Sequence, residues 1–186
     1  PSPFYRANEL RDYYNELTLR FKKDWNVEFR AYNDGIAYRF VSRSKKPFNV
    51  VDETVDYRFP SDMVASVPYV KAGKDGDYES QYFNSFENTY TTDRLSKLNK
   101  KRLMFLPLVV DAGEGVKICI TESGLENYPG LYLSAAEGEK RLTGQFAPYP
   151  KKTVQGGHNQ LQMLVKEREA YIAKVDNPRS FPWRMS

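Results

Sequence analysis

The stretch VKICITESGLENYPG, residues 116–130, decides how the chain is read. Its first half alternates. Val116, Ile118 and Ile120 fall on one face and Lys117, Cys119 and Thr121 on the other, the period of a half-buried β-strand. Gly124 breaks that strand into a polar and aromatic turn ending Tyr128-Pro129-Gly130. Glu122 sits where strand gives way to turn. A strand end feeding a loop is where rigid scaffolds present functional groups, so Glu122 is the candidate site residue. The alternative is a solvated glutamate at a strand terminus, the common state of this residue type.

Outward from that stretch the pattern is one of short strands and turns. Leu17, Leu19 and Phe21 alternate with polar residues as a half-buried strand, and Val27, Phe29 and Ala31 continue the period. Asn33-Asp34-Gly35 is a strong hairpin signal, because Asn and Asp tolerate left-handed backbone and Gly adopts it freely. The return strand covers residues 36–42, with Arg30 and Arg39 on the exposed faces flanking the turn. A helical turn is possible at 8–14. Residues 48–59 form a further strand region, after which Ser61 or Asp62 could cap a short turn. Residues 67–79 are loop-like, and residues 92–102 are an exposed basic connection. Residues 103–110 are nearly all apolar and predict a strand buried on both faces. Strands follow from Leu131 and over 142–146. Residues 160–175 are ambiguous: Leu161, Leu164, Val165, Arg168 and Ile172 fit a helical stripe, and 164–175 fits one long strand. The tail Phe181-Pro182-Trp183-Arg184 is extended. Many short strands with frequent turn signals predict an all-β, antiparallel sandwich.

Composition narrows the function classes. The chain has 186 residues and a formal net charge of +4, from 28 basic and 24 acidic residues that are interleaved rather than clustered. That argues for a mixed solvated surface over a nucleic-acid partner. With one cysteine and one histidine, Cys119 and His158, zinc fingers and Cys/His nucleophile pairs within the chain are excluded. Cys119 is expected to be a buried, inert thiol. No apolar run is long enough to span a bilayer, so no membrane partner is expected. Phosphate-binding glycine loops, serine nucleophile elbows and HExxH are absent. The aromatic stretch Tyr78, Tyr82, Phe83, Phe86 and Tyr90 could stack sugars or bases, or simply fill a core.

Four stretches go further: RDYYNEL at 11–17, FRAYNDGIAYRF at 29–40, ITESGLENYPGLYL at 120–133 and RSFPWR at 179–184. Together, and in this order, they resemble glycoside hydrolase family 97. The resemblance implies a galactose-mutarotase-like β-super-sandwich that packs against a catalytic (β/α)₈ barrel. It implies that residues 1–186 are one partial sandwich domain lacking its first strands, with 179–186 starting the linker toward a barrel outside the chain. It also implies calcium as cofactor, with Glu122 as one ligand and the other carboxylates on the barrel. Ser123 and Gly124 stand where that family more often has Ala and Asp. One glutamate cannot by itself complete the roughly 6–8 oxygen ligands calcium takes.

The implied activity is hydrolysis of α-glucosidic or α-galactosidic bonds in oligosaccharides, in a periplasmic or secreted bacterial enzyme. No catalytic residue is expected in this chain, because the carboxylate pair that glycoside hydrolysis needs belongs to the barrel. The competing reading is a stand-alone carbohydrate-binding module using exposed Tyr and Trp as sugar platforms.

Overall fold

The computed structural model describes residues 12–136 and 138–186. The chain opens with an antiparallel meander of β1 (Asn15–Arg20), β2 (Trp25–Ala31) and β3 (Ile36–Ser42). The Asn33-Asp34-Gly35 turn joins β2 to β3 as predicted, and the Tyr32 N–H donates to the Gly35 carbonyl at 2.8 Å. The helical turn considered at 8–14 lies mostly outside the described residues, and residues 12–14 have no regular structure.

Residues 48–59 are not one strand. β4 (Phe48–Val50) and β5 (Asp56–Arg58) are separated by an irregular stretch, 51–55, that buries Glu53 and Val55. β6 (Val64–Pro68), the one-turn helix α1 (Tyr78–Gln81) and β7 (Tyr90–Arg94) follow. The connection expected to be exposed at 92–102 instead completes β7 and buries Leu95 and Leu98. Asp62 caps no neighbouring turn; it accepts the N–H and the hydroxyl of Ser96 across the fold.

β8 (Leu108–Gly113) begins later than the apolar run at 103–110 suggests, although Leu103 and Met104 are fully buried. Met104 forms isolated bridges to Tyr69 and Leu133. β9 (Val116–Ser123), β10 (Tyr132–Ala135), β11 (Arg141–Gln145) and β12 (Pro150–Gly156) come next. The ambiguity at 160–175 resolves into two strands, β13 (Gln162–Arg168) and β14 (Ala173–Val175). Residues 179–186 pair inside the main sheet as β15 (Arg179–Ser180) and β16 (Trp183–Met185).

Among the described residues the main sheet has nine antiparallel strands, in the order β1-β2-β3-β16-β9-β8-β6-β7, with β15 also on β3. A second sheet, β10-β11-β5, lies over part of it. Between them Ala65, Val67, Leu108, Val110 and Ile120 of the first meet Leu133, Ala135 and Leu142 of the second, with Val55 and Leu131 alongside. This all-β sandwich is the predicted fold class.

The cover is one-sided. Register places Leu17, Phe29 and Tyr38 in one row and Leu19, Val27 and Phe40 in the next, all on the face that is core elsewhere. Yet Leu17 is 57% exposed, Leu19 40% and Phe29 39%. β1, expected to be half buried, is exposed along its length. The alternation is as read, but cover thins toward β1: among the described residues Trp25 meets Phe48 and Phe181 on this face, and Val27, Tyr38 and Phe40 are half-buried. The opposite face carries Trp183 between two guanidiniums, Arg30 at 4.7 Å and Arg39 at 4.3 Å from its ring, with Arg39 also paired to Glu28. Cys119 lies on that outer face and is exposed, not buried.

The two halves of the sheet differ in what they contribute to stability. Leu133→Ala, in the covered half, is expected to cost about 2–5 kcal/mol. Leu17→Thr, in the open half, is expected to stay within about 0.5 kcal/mol. Urea unfolding of the isolated chain checks both.

Candidate functional site

Glu122 is the penultimate residue of β9 and faces inward with Ile118 and Ile120. Its cross-strand neighbour on β16 is Arg184. Directly opposed residues of an antiparallel pair share a face, so the register itself sets a guanidinium against this carboxylate. Arg184 Nη1 donates to Glu122 Oε2. The other edge of the guanidinium forks onto Glu53, with Nε to Oε1 and Nη2 to Oε2 both at 2.9 Å. Two-point pairing of this kind is the strong geometry for Arg and carboxylate.

Three further contacts finish the cluster. The Tyr128 hydroxyl donates to Glu53 Oε2 at 2.9 Å. The Leu131 N–H reaches both Glu122 oxygens, at 3.0 and 3.1 Å. The Phe146 ring lies 5.2 Å from the guanidinium carbon. Side-chain exposure is 1% for Arg184, 6% for Glu53 and 10% for Glu122. Glu122 is therefore no solvated strand terminus.

Two carboxylates face one guanidinium, so the fully ionised cluster carries one negative charge in excess. Burying such a charge is costly, and a buried group shifts its pKa in response. Burial pushes the Glu122 carboxyl above its ordinary value, and the Leu131 N–H and Arg184 offset this only in part. Burial also works against the charge on Arg184, but Glu53 and Glu122 outweigh it and hold the guanidinium above its usual value. Burial and then Glu53 push the Tyr128 phenol up. The Tyr57 hydroxyl, raised chiefly by burial and then by Tyr38, and within the field of Arg184, Glu122 and Glu53, is buried without a hydrogen-bond partner among the described residues.

Glu122 also lines a cavity of about 400 Å³ with Phe86, Leu106, Thr121, Leu125 and Tyr132. Among the described residues Oε1 accepts from the Leu131 N–H alone, which leaves it a lone pair for a further partner. An excess negative charge and a free carboxylate lone pair suit a cation. They supply one oxygen donor and not a whole site: no group of three or more His, Cys, Asp or Glu that could hold a metal occurs among the described residues. His158 lies in an exposed turn between β12 and β13.

Sequence reasoning picked out Glu122 and missed its partners. Glu53 is 131 residues from Arg184 along the chain and reads as one of several acidic residues in a strand region. Arg184 reads as part of an extended tail. The available signal was the alternation Trp183-Arg184-Met185, which turns Arg184 inward once β16 is known to be a strand.

The sequence profile described as glycosyl-hydrolase 97 N-terminal matches residues 2–186. The chain belongs to this family. It is 81% identical over all 186 residues to a retaining alpha-galactosidase of Bacteroides thetaiotaomicron, and spans 28% of the length of that protein. Among solved structures it resembles a single-substitution variant of a glycoside hydrolase family 97 enzyme from Pseudoalteromonas sp. strain K8, with a TM-score of 0.63 and 17% identity, over 94% of this chain and 23% of that one. The acarbose complex of an enzyme from the same strain aligns at 0.59 and 16% identity, over 87% of this chain and 20% of that one. At such identities the likeness carries the fold, and it agrees with a family 97 N-terminal sandwich.

The raised carboxyl of Glu122 has a definite sign in stability. A carboxyl whose folded pKa exceeds its unfolded value, near 4.5, favours folding most below that value, and the contribution fades as pH rises through the folded pKa. Glu122→Gln should therefore make the isolated chain more stable than wild type at pH 7. The advantage should vanish as the pH falls below about 4.5. Urea unfolding across pH 4–7 reads the difference.

Proposed function

We propose that residues 1–186 form the N-terminal part of an α-galactosidase that cleaves α-linked galactosides. In this reading the sandwich closes one side of the active site and lends it Glu122 as a calcium ligand. The observation that carries the proposal is the 81% identity to a retaining alpha-galactosidase across the whole chain. A stand-alone sugar-binding module is not favoured, since the match is to part of a much longer enzyme.

The residues of this chain have a supporting role. Retaining hydrolysis uses two carboxylates roughly 5–5.5 Å apart, one as nucleophile and one as acid and base. Glu53 and Glu122 do not fit those roles, because both are engaged by one guanidinium. Arg184 and the Leu131 N–H instead hold the Glu122 carboxylate where it lines the cavity. The side chains of β9 and β16 fix its position before any ligand arrives, so little ordering remains to be done on binding. Calcium held there with carboxylates from outside this chain would supply fixed positive charge beside the reacting sugar.

The test uses the full-length protein. Glu122→Gln should weaken calcium binding by calorimetry at least as much as the roughly 10–100-fold that outer-shell changes cost, and should lower turnover of nitrophenyl α-galactoside. The isolated chain should show no turnover. Equal calcium affinity and equal turnover in wild type and variant would refute the assignment of Glu122.

A further inference from the structure

Phe86 combines an exposed ring with left-handed backbone. It lies in the connection between α1 and β7, with φ at +56°. That region is a genuine outlier for a bulky side chain, and such strain persists only where surrounding contacts enforce it. The contacts are present. The Phe86 N–H donates to Asn84 Oδ1 at 2.9 Å, and Asn84 Nδ2 donates to the Tyr132 hydroxyl at 3.0 Å and to the Gln81 carbonyl at 3.3 Å. Gln81 is fully buried and is itself tied to the backbone of Lys74, Lys101 and Leu103.

This bracket does not bury the ring. Phe86 is stacked on Tyr132, with centroids 6.0 Å apart and planes 19° from parallel, and meets Phe105 edge-on at 5.4 Å. It remains 57% exposed. A hydrophobic ring held out of the core on strained backbone, and backed by two other aromatics, is preorganised to receive something flat and partly apolar. Phe86 and Glu122 line the same cavity. Phe83, exposed on the same connection, does not line it.

We propose that Phe86 is a substrate-contacting residue whose ring packs against a galactopyranose unit in the cavity that Glu122 lines. This rests on the α-galactosidase reading above. The chemistry favours that sugar: the axial hydroxyl at C4 leaves the C–H bonds of C3, C4 and C5 together on the opposite face, an apolar patch that fits an aromatic ring. A glucopyranose, with its C4 hydroxyl equatorial, presents a smaller patch. Phe86 then contributes to binding and to the preference for galactosides, while the bond-breaking groups lie elsewhere.

Steady-state kinetics of the full-length protein on nitrophenyl α-galactoside and nitrophenyl α-glucoside test the proposal. Phe86→Asn removes the ring but tolerates the left-handed backbone, and Phe86→Tyr keeps the ring. Phe86→Asn should raise KM for the galactoside roughly tenfold, the scale of one aromatic contact, with kcat and melting temperature changed much less. Phe86→Tyr should restore KM. Unchanged KM in Phe86→Asn would overturn the proposal. So would a fall in kcat and melting temperature together that Phe86→Tyr reverses without a change in KM, since Phe86 would then be a packing residue. A wild-type protein that turns over no α-galactoside would instead sink the functional reading, and this inference with it.

Discussion

One buried guanidinium is shared between two carboxylates, and the arrangement of the site follows from it. Arg184 pairs in register with Glu122 across β16 and β9 and forks onto Glu53 from the irregular stretch 51–55. It thereby ties the middle of the nine-stranded sheet to the segment that leads into the smaller sheet. Replacing buried ion pairs by apolar groups is often neutral, whereas removing one partner strands a charge and is strongly destabilising. The cluster thus enforces one register more than it adds net stability. A one-residue slip of β16 would turn Arg184 outward and Trp183 inward, leaving both carboxylates without their cation and emptying the slot between Arg30 and Arg39.

The cluster sits at a boundary within the sandwich. On one side, over β6, β8 and β9, the second sheet covers the inner face and the core is apolar. On the other, the same face is half-covered at β2 and β3 and exposed along β1. Arg184 and Glu122 occupy the row between, which explains how a charged group can be 1% exposed without apolar cover on every side. Phe146 and the Tyr128 hydroxyl complete the shell from the loops that follow β9 and β11. The outcome is a carboxylate held rigidly at the lip of a cavity, with an oxygen lone pair and an excess of negative charge. This is the electrostatic setting in which a cation is welcome.

Local pattern carried much of the fold. The Asn33-Asp34-Gly35 hairpin, the alternation of β9 and the antiparallel all-β class were legible because each depends on neighbours within a few residues. Burial was harder to read, because it depends on what a strand faces. The same alternation that buries Ile120 leaves Leu17 exposed, and Cys119 lies on the outer face although its strand is apolar. Residues 160–175 suit a helix or a strand by period, and the partner β12 decides between them. At the site, Glu122 was legible from its place at a strand end and from the ITESGL motif. Glu53 was not, since nothing local distinguishes it from Asp52 or Asp56.

The central claim is that Arg184 and Glu53 act as one buried unit that keeps the site in place. A double-mutant cycle on the isolated chain measures this most directly, with Arg184→Met, Glu53→Gln and the combined variant compared by urea unfolding at pH 7. Arg184→Met alone should cost about 3–5 kcal/mol. Its cost should fall by about 1–3 kcal/mol once Glu53→Gln is present, the coupling expected for groups in one network. Effects that add to within about 0.5 kcal/mol would contradict the account.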